Sequence, residues 1–227
     1  MTPEVALSSE NVGISSIQNR PEAAEYRQIP GYIHPTALVE TEHIGSGTRI
    51  WAFTHLSHGV EVGSNCNIGS HCYLESGVKV GDGATIKNGN YIWDGVTIGN
   101  GAFVGPQVVF TNDLHPRSPR LPQAESRYRI GRWLSATTVE EGASIGGGAV
   151  IVAGVTLQKF CMVGAGAVVT KTVPAHCLVV GVPARVAGWV CFCGARLKCD
   201  AVDDSAIFCE ECLCEFKCIN GEIRQQE

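Results

Sequence analysis

Aliphatic side chains recur every six residues along most of this chain. From Leu38 the steps land on Ile44, Ile50, Leu56, Val62, Ile68, Leu74, Val80, Ile86, Ile92, Ile98, Val104 and Phe110. A second run on the same period holds Val139, Ile145, Ile151, Leu157, Val163 and Val169. Four residues after most marks the side chain is small or short, as at Thr48, Thr54, Val60, Cys66, Cys72 and Ala84. The residue just after a mark is often glycine, as at Gly45, Gly63, Gly69, Gly81, Gly99 and Gly105. A period of six matches neither the 3.6 of an amphipathic helix nor the 2 of a half-buried strand. It fits a triangular coil in which each flat side takes one hexapeptide and each turn eighteen residues. Aliphatic marks then fill the prism, small residues fit near its corners, and glycine tolerates the backbone geometry there. Nineteen marks make an all-β prism of about six coils, rising about 4.8 Å per coil.

The period breaks once. Phe110 and Val139 are 29 residues apart, which six does not divide. Between them, Thr111 to Ala136 holds three prolines and five arginines with Asn112, Asp113 and His115, and reads as a loop excursion over 111–137. Long loops on rigid scaffolds are where binding and catalytic residues concentrate. Residues eighteen apart lie above one another, so Trp93 sits beneath Thr111 and Asn88 beneath Pro106. If the chain re-enters where it left, Val139 takes the slot six beyond Phe110, and Gly147 and Ala165 extend the Asn88–Pro106 column. That line of small residues beside the loop suits a long thin ligand.

Composition narrows the function classes. The 227 residues carry a net charge of −5, and only 17% are charged. A nucleic-acid partner needs a basic face, which this balance does not offer. No stretch approaches the roughly 20 consecutive apolar residues of a membrane-spanning helix. Met1 to Ser16 has neither the basic start nor the apolar run of a secretory signal. A cytoplasmic protein without membrane insertion is expected.

Seven of the eleven cysteines fall between Cys191 and Cys218. The others, Cys66, Cys72, Cys161 and Cys177, read as small buried hydrophobes. Without a secretion signal, thiolate–metal ligation is a stronger reading of the cluster than disulfides. Cys191-Phe192-Cys193-Gly194 and Cys209-Glu210-Glu211-Cys212 are separated by fifteen residues. Two short knuckles at this separation resemble a zinc ribbon, and four thiolates suit tetrahedral Zn²⁺. Cys191, Cys193, Cys209 and Cys212 are the expected ligands of a structural zinc, with Cys199, Cys214 and Cys218 as spares.

The hexapeptide run resembles the hexapeptide-repeat acyltransferases, whose fold is the left-handed parallel β-helix. That resemblance implies a homotrimer with active sites between neighbouring prisms. From Tyr32 onward the chain is similar to N-acetyltransferases acting on nucleotide-linked 3-amino sugars in bacterial surface-polysaccharide (lipopolysaccharide) pathways. The stretches that carry the similarity include Ile50-Trp51-Ala52-Phe53, Ile86-Lys87-Asn88-Gly89, Phe103-Val104-Gly105-Pro106, Phe110-Thr111-Asn112, Pro116-Arg117-Ser118 and Val180-Gly181-Val182-Pro183-Ala184-Arg185. It implies acetyl-CoA as co-substrate and a UDP- or dTDP-linked amino sugar as acceptor. Gly188-Trp189 leans the acceptor toward a UDP-linked 2-acetamido-3-amino-glucuronate.

The same resemblance distributes roles. The Asn matching Asn88 lies beside the sugar amine. Backbone around Ala165-Gly166, on the column of Gly147, lines pantetheine, and Lys171 and Arg185 lie toward the nucleotide end of the coenzyme. His115, in His-Pro, looks like the loop His that serves maltose and galactoside acetyltransferases as general base. A neutral imidazole suits proton removal near neutral pH. In the amino-sugar enzymes the matching residue is not always His, and a base is chemically dispensable. A neutral sugar amine is itself a nucleophile, and the departing thiolate can collect the proton. Asn88 would orient the amine while a backbone N–H stabilises the oxyanion.

Glu75 and Trp93, on outward faces near the Asn88 level, and Arg117 in the loop are candidates for contacting the sugar nucleotide. Asn90 falls at a small inward position and is expected to be a structural polar link. His43, His55, His58 and His71 face outward without the paired spacing of the three-His zinc site in same-fold carbonic anhydrases.

Three segments follow: an N-terminal arm (1–31) of low order or capping the first coil, a β-helix acyltransferase domain (32–187), and a Cys-rich zinc-ribbon-like tail (188–227). The leading expectation is acetyl transfer to a sugar 3-amino group. The alternatives are a sugar O-acetyltransferase using His115, or a non-catalytic trimeric scaffold. The polar loop argues against the last.

Overall fold

A computed structural model of the chain describes residues 30–198, 206–219 and 222–225. The expected arm up to residue 29, and Cys199, lie outside the described residues. Within them the six-residue pattern becomes a parallel β-helix whose two- and three-residue strands form three sheets, one per side of a triangular coil. The marks stack in register. On the first side Ile50 lies on Ile68, Ile86, Val104, Ile145 and Val163 in turn. On the third side Val62, Val80, Ile98, Val139 and Leu157 do the same. Each of these side chains is buried, so every coil contributes three apolar groups to one continuous core. The strand Tyr32–Ile33 beneath Arg49–Ile50 and Cys177–Val180 above Met162–Val163 extend the prism past the unbroken marks.

The pairing of Ile98 with Val139 confirms the register of re-entry after the excursion. The Asn88 column therefore forms: Gln107 N–H donates to Asn88 O (3.1 Å), Gly148 N–H to Pro106 O (2.9 Å) and Gly166 N–H to Gly147 O (3.0 Å).

Two expectations need correction. Leu38 is not an interior mark: it stacks on His55 and is 54% exposed, while Val39 lies over Leu56. Ile44 comes only five positions after Val39 instead of six, so the first corner is one residue short. There Thr41 turns inward, and its hydroxyl donates to Val60 O at 2.7 Å. The glycines just after the marks also serve a different purpose. The left-handed conformations fall three residues after a mark, at Gly59, Gly77, Gly83 and Gly89, and also at Phe53, Asn65, His71 and Gln107. Gly45, Gly63, Gly69 and Gly81 are needed because the next coil passes too close for a Cβ. A Cβ on Gly69 would lie 2.7 Å from Asn88 N.

The small inward positions are filled as expected, and where they are polar they link adjacent turns. The Thr48 and Thr54 hydroxyls donate to the carbonyls of Gly63 and Gly69 at 2.6 and 2.7 Å. Asn90, fully buried, donates to Lys87 O (2.6 Å) and Gly105 O (2.9 Å) and accepts from Val108 N–H (2.9 Å). The scattered cysteines are core residues whose thiols are pushed up by burial, Cys161 to about 12 and Cys177 to about 11.

The excursion contains an unanticipated helix, Pro122–Arg129, with proline in its first turn and no buried residue. At the far end of the prism, Arg185–Val190 pairs antiparallel with Cys177–Val180 and then with Arg196–Leu197. The strands Ala206–Phe208, Glu215–Ile219 and Glu222–Gln225 form a separate antiparallel sheet. Among the described residues no helix is long and apolar enough to cross a membrane.

Candidate active site

Asn88 follows the first-side strand Thr85–Ile86 and precedes the second-side strand Tyr91–Ile92, so it stands at the corner between two sheets. It is exposed and lines an open groove with His71, Gly89, Tyr91, Pro106 and Gln107. Its Oδ1 accepts from Ser70 N–H at 3.2 Å, a bond that Asp82 and Asn100 repeat to Ser64 N–H and Asp82 N–H at their own corners. The position thus favours Asn or Asp for stacking alone. At Asn88 the corner also faces a groove. Gly147, Ala165 and Gly166 follow first-side strands too and continue this corner upward.

A second groove shares Gly89, Tyr91 and Gln107 with the first and adds Trp93, Val109 and Phe110. Trp93 is half-buried, packs on the prism core, and makes ring contacts with Tyr73 and Tyr91 at 5.8 and 6.3 Å. Glu75 Oε2 accepts from Asp94 N–H at 2.9 Å. Both residues therefore carry structural contacts besides their outward position. His71 stacks on Phe53 at 4.9 Å. His71, Tyr91 and Gln107 were missed from sequence; the eighteen-residue column His71, Gly89, Gln107 would have found two of these three.

His115 and Arg117 are exposed in the excursion, which leaves from the corner between the second and third sides. The structure does not bring them to Asn88 within one chain. An ionic knot holds this segment. Asp113 pairs with Arg127, accepts from the Tyr128 hydroxyl at 2.7 Å and from His115 N–H at 2.8 Å. Arg127 also donates to His115 O at 2.9 Å. The Arg127 guanidinium, then the Tyr128 hydroxyl, hold the Asp113 carboxyl far below the usual carboxylate range. Arg117 is turned onto its own loop, its guanidinium donating to Pro116 O at 2.9 Å. Nothing in the spacing of the sequence pointed to Arg127 or Tyr128 as partners.

Lys171 and Arg185 do converge. They line one cleft with Val169, Pro174, Val179 and Ala184 at the upper end of the prism. Segment Gly181–Ala184 stacks on the second-side strand there, with Val168 N–H donating to Gly181 O and Ala184 N–H to Val168 O.

The four expected metal ligands also converge: the sulfurs of Cys191, Cys193, Cys209 and Cys212 all lie within 4.8 Å of one another. Cys191 and Cys212 approach to 3.2 Å, Cys193 and Cys209 to 3.6 Å, against about 2.05 Å in a disulfide. Four tetrahedral thiolates at about 2.3 Å from zinc stand about 3.8 Å apart, which this donor set fits. The backbone N–H of Cys214, then the Cys191 thiol, lower Cys212 to about 6. Cys218 is buried in the tail's apolar core.

A coiled prism with a grooved corner, one polar excursion and a basic cleft defines a hexapeptide-repeat transferase. The bacterial transferase hexapeptide family (six repeats) matches residues 43–76 and 77–112, and the hexapeptide repeat of succinyl-transferase matches 136–171. A dTDP-3-amino-3,6-dideoxy-alpha-D-galactopyranose 3-N-acetyltransferase of Aneurinibacillus thermoaerophilus is 45% identical over 194 residues, 86% of this chain and 94% of that protein. A galactoside O-acetyltransferase of Lactococcus lactis is 32% identical over 82 residues, 36% and 37% of the two chains. The chain belongs to the hexapeptide-repeat N-acetyltransferases, and it is an enzyme of the acyltransferase class. Among solved structures, a variant of perosamine N-acetyltransferase from Caulobacter crescentus in complex with CoA and GDP-perosamine aligns at a TM-score of 0.43 and 21% identity. The alignment covers 70% of this chain and 57% of that one.

Proposed function

We propose that this protein transfers the acetyl group of acetyl-CoA to the 3-amino group of a nucleotide-linked amino sugar. The observation that carries the reading is Asn88 in an open groove at the foot of the Pro106, Gly147, Ala165 corner. The extensive similarity to a dTDP-3-amino-sugar N-acetyltransferase supports a dTDP-linked acceptor over the UDP-linked uronate. Gly188-Trp189, the basis of that other lean, has a structural use: Trp189 packs on the prism core, and Gly188 adopts φ +143 with the Arg196 guanidinium 3.2 Å from where a Cβ would lie.

In this reading the coenzyme runs along the corner past Gly147, Ala165 and Gly166, with its phosphates toward Lys171 and Arg185. The Asn88 carboxamide, whose Oδ1 keeps a second lone pair beyond the Ser70 bond, orients the neutral amine. The nitrogen lone pair attacks the thioester carbon, the C–S bond breaks, and the departing thiolate takes the amine proton. Orientation of the two reactants supplies most of the acceleration. Asn88 and His115 occupy different corners of one prism, which favours a homotrimer in which the excursion of a neighbouring chain reaches the Asn88 groove. Trp93, Glu75 and Arg117 would then face the sugar nucleotide. A reaction using acetyl-CoA and a nucleotide sugar belongs in the cytoplasm.

Thiol release from acetyl-CoA with dTDP- and UDP-linked 3-amino sugars tests the reading. Loss in Asn88→Ala with survival in His115→Ala is the expected pattern. Release only with hydroxyl acceptors, dependent on His115, would replace it with O-acetyl transfer.

A further inference from the structure

We propose that Cys191, Cys193, Cys209 and Cys212 bind one Zn²⁺ per chain, and that this metal fastens a cap over the C-terminal end of the β-helix with Phe192 as the docking side chain. The end of a coiled prism is exposed twice over. Its last strands present unpaired backbone groups, and its apolar interior opens to water. Here the chain folds back to cover both. Arg185–Val190 pairs along Cys177–Val180, and Trp189 packs against the prism core and against the small core of the tail. Val190 N–H donates to His176 O at 2.8 Å, and His176 Nδ1 bonds Val190 O at 3.0 Å.

Two residues further on, Phe192 lies between two of the four thiols in sequence and enters an aromatic cluster that belongs to both parts. It contacts Phe160 and His176 of the prism at 4.6 and 4.7 Å, and Phe216 of the tail at 5.3 Å. The turn that presents it is closed by Gly194 N–H to Cys191 O (2.9 Å), with Gly194 in the left-handed region. The second knuckle is closed by Leu213 N–H to Cys209 O (3.0 Å). Among the described residues, the buried core of the tail is Leu197, Ile207, Phe216 and Ile223 with Cys191, Cys209 and Cys218. A module this small does not hold its shape on apolar burial alone. Zinc bound to both knuckles would fix the Phe192 turn against the Phe216 sheet and so hold the cap on the last coil. Binding releases the thiol protons to solvent and changes no oxidation state.

Metal analysis of the full-length protein, purified under reducing conditions, tests the site. One zinc per chain is expected, retained in Cys218→Ser and lost in Cys193→Ser and Cys212→Ser. Phe192→Ala separates metal from docking: zinc stays, while amide exchange across 177–190 rises by about tenfold or more. Releasing zinc from wild-type protein with a mercurial, read by a chromophoric chelator, should raise exchange in the same segment and covers the case in which the serine variants do not fold. Zinc that is absent and not regained on incubation with Zn²⁺, iron in its place, or exchange unchanged on zinc release would each overturn the proposal. None of these readouts involves acetyl transfer, so the result is independent of the proposed reaction.

Discussion

Gly69→Ala separates the two reasons a prism of this kind uses glycine, and it does so next to Asn88. Gly69 has no left-handed φ, so alanine carries no backbone penalty there. The added Cβ would lie 2.4 Å from Asn88 Oδ1, 2.7 Å from Asn88 N and 2.8 Å from Lys87 C, whereas ordinary contact begins at 3.4 Å. Because two of these atoms are backbone, the coil above must move by about 0.7 Å at Asn88 N. Overpacking of this size costs about 1–3 kcal/mol, or a fall of roughly 2–12 °C in Tm for a chain of this length. Gly101→Asn is the control. Gly101 has φ +62 with nothing within 4 Å of a Cβ, and the chain already accepts Asn at φ +56 in Asn65. It should cost less than about 1 kcal/mol. Gly69→Asn should cost more than Gly69→Ala. Thermal unfolding of the three variants is the assay. Acetyl transfer by Gly69→Ala should fall further than its stability predicts, since displacements near 1 Å in a reacting site cost up to about a hundredfold. Equal losses in Gly69→Asn and Gly101→Asn, or a wild-type Tm in Gly69→Ala, would refute the close-approach argument.

Asn90→Ala should lower stability by about 1–3 kcal/mol by leaving the buried Val108 N–H without its acceptor, while KM for both substrates stays unchanged; denaturant unfolding and steady-state kinetics check the two halves. Asp113 gives a pH signature. Its carboxyl is depressed in the folded loop, so its stabilisation is complete above an unfolded value of about 3.9 and is lost only as pH falls below that toward the folded value. Trp133, whose ring lies 5.9 Å from Tyr128, should report loop fluorescence unchanged down to pH 4 in wild type. In Arg127→Ala the transition should move up toward the ordinary carboxylate range, and an unmoved midpoint would dismiss the Asp113–Arg127 pair as the holder of the loop.

The six-residue spacing was enough to predict the prism, its interior and the stacking of Pro106 on Asn88, while the extension of that column to Gly147 and Ala165 waited on the register of re-entry. That column depended on an integer relation, eighteen residues per coil, which a rigid repeat leaves little freedom to violate. Where the relation slips by one residue, at Val39 to Ile44, the sequence misplaced Leu38, because an inward Thr41 looks no different from a surface threonine. The cysteine knuckles were legible for a similar reason: short spacing confines ligands to a single turn.

Only the tertiary structure decided what depends on contacts across coils or between segments. It showed why glycine follows many of the marks: the next coil's backbone passes too close for a Cβ. It set Asn88 and His115 at different corners, and it joined Asp113 to Arg127, fourteen residues away on a helix no periodicity announced. It also joined the start of the tail, through Arg196–Leu197, to the first sheet, because pairing of Arg185–Val190 with Cys177–Val180 is a property of the folded end and of no local pattern.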